Sequence, residues 1–292
     1  MKVAIYSRVL DLNQQKDIQL FFDELANEGI VPVIFRPYFE EVNKIISLPP
    51  NSLTFSSHDD LSLDVDFIVS LGGDGTLLDT VTLVRHKKIA IVGINFGRLG
   101  FLASIGREEL VAAVKALARR SFILDKRSLV HVDSNLPLFG EVPYALNEFA
   151  IHKQDIAPMI KIHTYLNGEL LNTYWADGLI LATPTGSTGY SLSCGGPVVF
   201  PDSSSFVLTP IAPHNLNVRP IVIPDSTVVS FEVESRSDQI ICALDSRRET
   251  VDKNVQLAIR KETFMLSLVR LNENNFLQTL RNKLSWGLDK RN

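Results

Sequence analysis

A chain of 292 residues with a formal net charge of −4 lacks the concentrated positive field that a nucleic-acid or anionic-membrane surface needs, so any anionic ligand must be held locally. Its composition, 45% hydrophobic and 21% charged, supplies ample apolar surface, and its length exceeds what a single core ordinarily holds, which predicts two domains. Two cysteines without a CxxC pair, no apolar leader after Met1 and no run near the ~20 apolar residues of a membrane span argue against a disulfide scaffold and a membrane protein and predict a reducing, cytoplasmic setting.

From the amino end, Val3 to Ser7 reads as a strand, and Gln15 to Glu28 as a helix with Ile18, Phe21, Phe22 and Leu25 on one face before Gly29 stops it. Ile30 to Phe35, Val65 to Leu71 and Ile89 to Ile94 read as further strands, the second of them apolar on both faces as in a helix-covered parallel sheet. Helical periodicity at Leu77 to Arg85 and Glu108 to Arg119 completes a doubly wound, Rossmann-like α/β domain over residues 1–120, of the kind that binds ligands beyond the carboxyl ends of its strands.

After Arg120 the texture becomes short and alternating, predicting a mainly-β sandwich domain over residues 121–265. Ile160 to Leu166 runs into Asn167-Gly168, a hairpin turn signal, and strands are expected at Leu179 to Ala182, Val228 to Val233, Gln239 to Leu244 and Val255 to Arg260. Phe276, Leu277, Leu280 and Leu284 then share a helical face, so a 266–292 helix is expected to return to and complete the first domain, with a polar tail from Asp289 to Asn292 that frays.

The sharpest chemical signal is Gly72-Gly73-Asp74-Gly75-Thr76, placed directly between a buried strand and a helix. Glycines let the backbone approach a phosphate, and a helix N-terminus offers unpaired N–H donors with a favourable dipole. A carboxylate there repels an anion, so Asp74 is either a helix N-cap or a working group that accepts the proton of an attacking hydroxyl or helps hold a magnesium ion. Leu78 stands where a dinucleotide fingerprint needs glycine, and GxxxxGK[ST] is absent, so the turn belongs to another class.

The second signal runs from Asp177 through Thr183-Pro184-Thr185-Gly186-Ser187-Thr188-Gly189-Tyr190-Ser191-Leu192-Ser193 to Gly195-Gly196-Pro197. Its small hydroxyls and backbone N–H groups suit ribose and phosphate oxygens, and Tyr190 offers a face for a base; the plain alternative is a solvated surface loop.

The turn is shared with diacylglycerol and sphingosine lipid kinases and 6-phosphofructokinases, but three further features resemble the NAD kinase family: the pair Asn147-Glu148, the TPTGST-G-Y-S-L-S loop, and the terminal helix from Phe276 to Trp286. The likeness runs from about Val65 to Trp286. It implies magnesium-dependent transfer of the ATP γ-phosphoryl group to the 2′-hydroxyl of the adenosine ribose of NAD, giving NADP and ADP. Asp74 would be the proton acceptor, with Gly72, Gly73, Gly75 and Thr76 forming the phosphate-binding turn. Dinucleotide contacts would come from Asp74, Gly75, Asn147, Glu148, Trp175, Asp177, Thr188, Gly189, Tyr190, Ser191, Leu192, Ser193, Ala212 and Arg247.

The resemblance also implies a homodimer or homotetramer, since family contacts reach a neighbouring subunit. It departs from the family pattern at Gly189, where Ala is usual. At Arg247 and Arg248 the family has an amide or histidine; a cation there either contacts a phosphate or solvates a hairpin. Trp175 and Pro158 stand where some relatives carry basic or imidazole groups, leaving the choice between oxidised and reduced dinucleotide open. The six histidines show no metal spacing, and His214 reads as a capping or core residue as readily as a site residue, so magnesium is expected to arrive on the ATP phosphates with no ligand directly from the protein.

Overall fold

Short β-branched runs alternating with amphipathic helices build the first part of the chain. In the computed structural model, which describes residues 1–97, 99–154, 157–271 and 276–286, they are β1 (Lys2–Tyr6), α1 (Gln15–Asn27), β2 (Val31–Phe35), α2 (Arg36–Val42), β3 (Leu53–Phe55), β4 (Phe67–Leu71), α3 (Asp74–Val84), β5 (Ala90–Asn95), β6 (Ile105–Gly106), α4 (Leu110–Ala118) and β7 (Ile123–Arg127). Helix α1 buries Ile18, Phe21, Phe22 and Leu25. It ends where Gly29 takes a φ of +66° and the N–H groups of Gly29 and Ile30 bond back to Ala26 and Leu25, a Schellman cap that favours glycine.

Strands β3, β2, β1, β4 and β5 lie side by side and parallel in that order. The chain therefore winds outward one way from β1 to β3 and the other way from β4 to β5, and the order reverses between β1 and β4. In a doubly wound sheet that reversal opens a crevice beyond the carboxyl ends of the strands, which here are occupied by Ser7-Arg8 after β1 and Gly72-Gly73 after β4.

The second unit, Arg127–Met265, contains β8 (Val130–Ser134), β9 (Tyr144–Ala145), β10 (Glu148–His152), β11 (Ile160–Leu166), β12 (Glu169–Ala176), β13 (Gly178–Ala182), α5 (Tyr190–Ser193), β14 (Ser205–Ile211), β15 (Ile221–Pro224), β16 (Val229–Glu234), β17 (Gln239–Leu244), β18 (Arg247–Asp252) and β19 (Leu257–Lys261). They form two antiparallel sheets, β15-β14-β13-β10-β17-β18 and β12-β11-β16-β19-β8-β9. Inward residues of both, among them Phe149, Leu181, Phe206 and Leu244 from one and Ile162, Tyr174, Phe231 and Ile259 from the other, share one apolar core, which makes the unit a sandwich.

The chain then returns to the first unit, Met1–Lys126 with Leu266–Asn292. The expected 266–292 helix is shorter: Leu266–Arg270 is strand β20, its alternating apolar residues paired in parallel with β5 and extending the sheet toward β7, and the helix α6 spans Phe276–Leu284 and buries Leu280. The expected fraying tail from Asp289 to Asn292 lies outside the described residues. Among those residues no helix is long and apolar enough to cross a membrane.

Several elements were not marked by periodicity. Helix α3 starts at Asp74, three residues ahead of the first apolar position, because its opening turn is glycine-rich. Strand β18, Arg-Arg-Glu-Thr-Val-Asp, has a largely polar sequence because it is the edge of its sheet and buries little beyond Val251. Within the sandwich Phe149 stacks on Phe231 at 6.1 Å and 26°. Phe231→Ala removes that contact and opens a cavity between the sheets, and is expected to lower unfolding free energy by about 3–5 kcal/mol, read as a shifted midpoint in urea unfolding.

Candidate active site

The first group of site residues is fixed by the turn after β4. Gly72 adopts a φ of +151°, and a Cβ on it would come within 2.5 Å of Thr76 Oγ1, so only glycine fits. Gly73 is the N-cap of α3 and Asp74 its first helical residue; the carboxylate is therefore not the N-cap. It turns instead to a neighbouring turn, where Oδ2 accepts the N–H of Phe101 at 2.8 Å and Oδ1 accepts those of Leu102 at 3.0 Å and Ala103 at 2.8 Å. Gly100 permits this approach, since a Cβ there would overlap Asp74 Oδ1.

A carboxylate presents about four lone pairs, and three backbone donors leave one, on Oδ2, for a further donor. Beside it stands a cation that sequence reasoning missed. Arg8 is gripped by Asp79 through Nε and Nη2, while a Cβ on Gly75 would lie 3.6 Å from its Nη1. Tyr6 donates to the same Asp79 at 2.9 Å, and burial together with that bond pushes the phenol up to about 12. The signal for Arg8 was positional, as the first charged residue beyond β1 at the reversal of strand order.

The second group belongs to the sandwich unit and is organised by Asp245, at the tip of the β17–β18 hairpin with a φ of +52°. Its Oδ1 accepts the N–H groups of Asn147 at 2.8 Å and Glu148 at 3.2 Å, and its Oδ2 that of Leu146 at 2.9 Å. From the other side, the Asn147 carbonyl accepts the Thr183 N–H at 2.8 Å, and a Cβ on Gly186 would overlap it. Asn147 Oδ1 and Glu148 Oε2 are buried without a hydrogen-bond partner. Burial, reinforced by the Asp245 charge and opposed by the Tyr190 N–H, pushes the Glu148 carboxyl up to about 8.

The hydroxyl-rich segment is not a solvated loop. Thr183 Oγ1 donates to the Leu146 carbonyl at 2.6 Å, Ser187 Oγ to that of Pro184 at 2.7 Å, and Ser191 Oγ meets Thr209 Oγ1 at 2.7 Å, all three hydroxyls buried. These groups hold the segment's shape, and Thr188, Gly189, Tyr190, Leu192 and Ser193 form its more open part. Tyr190 lies over His152 with ring centroids 5.7 Å apart and planes at 22°. Asp177 pairs with Lys153 at 3.3 Å.

Other expected residues stand apart from this arrangement or differ in detail. Trp175 is exposed and packs its ring 4.4 Å from that of His214. Ala212 holds a left-handed φ of +45° two residues before His214. The Arg247 guanidinium donates to the carbonyls of Val142 and Tyr144 and lies 5.7 Å over the Phe139 ring, so it braces the 142–144 segment. Arg248 is the exposed cation next to it, and its charge acts on both His152 and Tyr190.

Two family models match the chain, the ATP-NAD kinase N-terminal domain over residues 44–122 and the ATP-NAD kinase C-terminal domain over residues 146–271. An NAD kinase of Cytophaga hutchinsonii is 50% identical over 279 residues, spanning 96% of this chain and 91% of that protein. One from Flavobacterium psychrophilum is 42% identical over the whole of both chains. The chain belongs to the NAD kinase family.

Among solved structures, an NAD kinase from Archaeoglobus fulgidus in complex with ATP matches with a TM-score of 0.74 at 26% identity, covering 98% of this chain and 99% of that one. Yeast NADH kinase complexed with NADH shares the fold with a TM-score of 0.87 at 22% identity, covering 99% and 88%. The family resemblance carried by the Asn147-Glu148 pair, the hydroxyl-rich loop and the terminal helix, and the α/β-plus-sandwich architecture expected from periodicity, agree with these relatives.

Two outcomes follow for members of the NAD kinase family built this way. Gly100→Ala drives a methyl group into Asp74 Oδ1 and is expected to cost about 1–3 kcal/mol of stability together with a large loss of activity, whereas Gly140→Ala, in open space but at a φ of +55°, costs stability alone. Glu148 carries its proton in the folded chain up to about 8 but loses it near 4.5 when unfolded. The unfolded state therefore binds fewer protons between those values, and stability falls as pH rises through that window. Glu148→Gln should abolish this slope, leaving the variant about 1–3 kcal/mol more stable than the parent at the alkaline end and equal to it at the acid end, as thermal melts across pH would record.

Proposed function

We propose that the chain transfers the γ-phosphoryl group of ATP to the 2′-hydroxyl of the adenosine ribose of NAD, with Asp74 as the proton acceptor. The observation that carries this reading is the Asp74 carboxylate. Three backbone donors lock it at the start of α3, and the remaining Oδ2 lone pair is free for a hydroxyl proton. The relatives' names supply the substrates, since the matched proteins are NAD kinases and one structural neighbour was solved with ATP.

Phosphoryl transfer depends mainly on positioning and on charge stabilisation. The glycine turn, with its N–H groups and the α3 N-terminus, suits the ATP phosphates, and Arg8 Nη1 beside Gly75 adds a positive charge there. Asn147 and Glu148 suit the adenosine part of NAD, with Asp177 and the 188–193 segment toward its nicotinamide end and Trp175 and Ala212 as further contacts on the dinucleotide. Held rigidly, Asp74 accepts the hydroxyl proton as the oxygen attacks phosphorus and ADP leaves.

A magnesium ion fits this arrangement as a companion of the nucleotide. Held mainly by phosphate oxygens and water, with the spare Asp74 lone pair able to add at most one ligand, it would neutralise charge on the transferred group. Assembly into a homodimer or homotetramer belongs to the same proposal and is read by light scattering.

Incubating the purified protein with NAD, ATP and magnesium and separating the products by chromatography tests the reaction; NADP is expected, and ATP consumption without it would overturn the reading. Asp74→Asn keeps an oxygen for two of the three backbone donors but cannot accept the proton. NADP formation should fall at least ~100-fold while NAD binding by calorimetry persists. Near-parental turnover in that variant removes Asp74 from the chemistry.

A further inference from the structure

The sandwich unit contains a second locked carboxylate. Asp245 reaches from the β17–β18 hairpin to the segment just before β10 and accepts three consecutive backbone N–H groups, those of Leu146, Asn147 and Glu148. Its own N–H closes the loop by donating to the Glu148 carbonyl at 3.1 Å. Three charge-assisted bonds to one short segment leave its two side chains, Asn147 and Glu148, little freedom in where they point. Both end in buried oxygens that lack a partner, and orphaned polar atoms of this kind are costly unless a ligand supplies the missing bond.

We propose that Asp245 is a positioning residue for dinucleotide binding: it fixes the 146–148 backbone so that the unpartnered oxygens of Asn147 and Glu148 are held in place for the dinucleotide. The inference rests on the reading of Asn147 and Glu148 as dinucleotide contacts. The two acids share one enclosure. Burial pushes both carboxyls up; at Asp245 the three N–H donors oppose this, whereas at Glu148 the Asp245 charge adds to it, so of the two acids Glu148 is the one that keeps its proton more readily. The other groups facing Glu148 do not reverse this. The Tyr190 N–H favours the charged form weakly, Cys194 and Tyr190 are neutral side chains at working pH, and no cation is among the influences on its carboxyl. A neutral acid presents one O–H and one carbonyl oxygen, a pair that matches a base edge or vicinal hydroxyls in two directions, whereas a carboxylate would meet the dinucleotide phosphates with repulsion.

The test is steady-state kinetics from about pH 6 to 9.5 on the full-length parent, Asp245→Asn and Glu148→Gln. In the parent, KM for NAD should rise on the alkaline side as Glu148 ionises, with KM for ATP level. In Asp245→Asn, KM for NAD should be about tenfold higher at neutral pH, kcat little changed, and the alkaline rise moved to lower pH, because the neighbouring negative charge is gone. In Glu148→Gln the rise should vanish, since the amide keeps both a donor and an acceptor. A folded Asp245→Asn with parental KM and an unmoved rise overturns the proposal; so does a rise that persists in Glu148→Gln, the arm that decides the matter if Asp245→Asn fails to fold. If Asn147→Ala and Glu148→Ala both leave KM for NAD untouched, it is the underlying site reading that has failed.

Discussion

A carboxylate that accepts three backbone N–H groups from a distant turn is the constraint on which both candidate regions depend. Asp74 does this for residues 101–103 and Asp245 for residues 146–148. Hydrogen bonds to an ionised group contribute about 1.5–3 kcal/mol each, so each set rivals a buried aromatic side chain in weight while adding direction that apolar packing lacks. Loops that would otherwise sample many conformations are tied to regular elements, α3 in one unit and the β17–β18 hairpin in the other.

Glycines make these locks possible by absence of volume. Gly100 clears the path for Asp74, and Gly186 does the same for the Asn147 carbonyl. Neither is at a positive φ, so the requirement is for space and not for an unusual backbone. Such glycines carry no mark in a single sequence. Gly72, by contrast, sits in a recognisable run, and its geometry needs both the space and the conformation.

What the sequence made legible follows the same division. Periodicity located α1, β4, β5, β11 and β17 to within two or three residues, because each buries a regular set of side chains. The turn after β4 and the long hydroxyl-rich segment were visible because composition there departs from any core or surface pattern. Strand β18 was silent because an edge strand has only one neighbour and little to bury. Asp245 was passed over because its importance lies in backbone donors roughly a hundred residues earlier, a relation only the fold creates. Arg247 drew notice as a cation of uncertain use, and its guanidinium caps the carbonyls of Val142 and Tyr144.

The hydroxyls of the 183–191 segment show how composition misleads about what individual side chains do. Thr183, Ser187 and Ser191 have the chemistry of ribose-binding groups, yet their oxygens are buried in bonds to Leu146, Pro184 and Thr209. Their work is to stiffen the backbone from which Thr188, Gly189 and Tyr190 project. A binding surface for an anionic dinucleotide on a chain with a net charge of −4 cannot rely on a general positive field; it needs donors at fixed positions. Under the proposed function, rigid N–H groups, the acid at Glu148 and single cations such as Arg8 and Arg248 would meet that need locally.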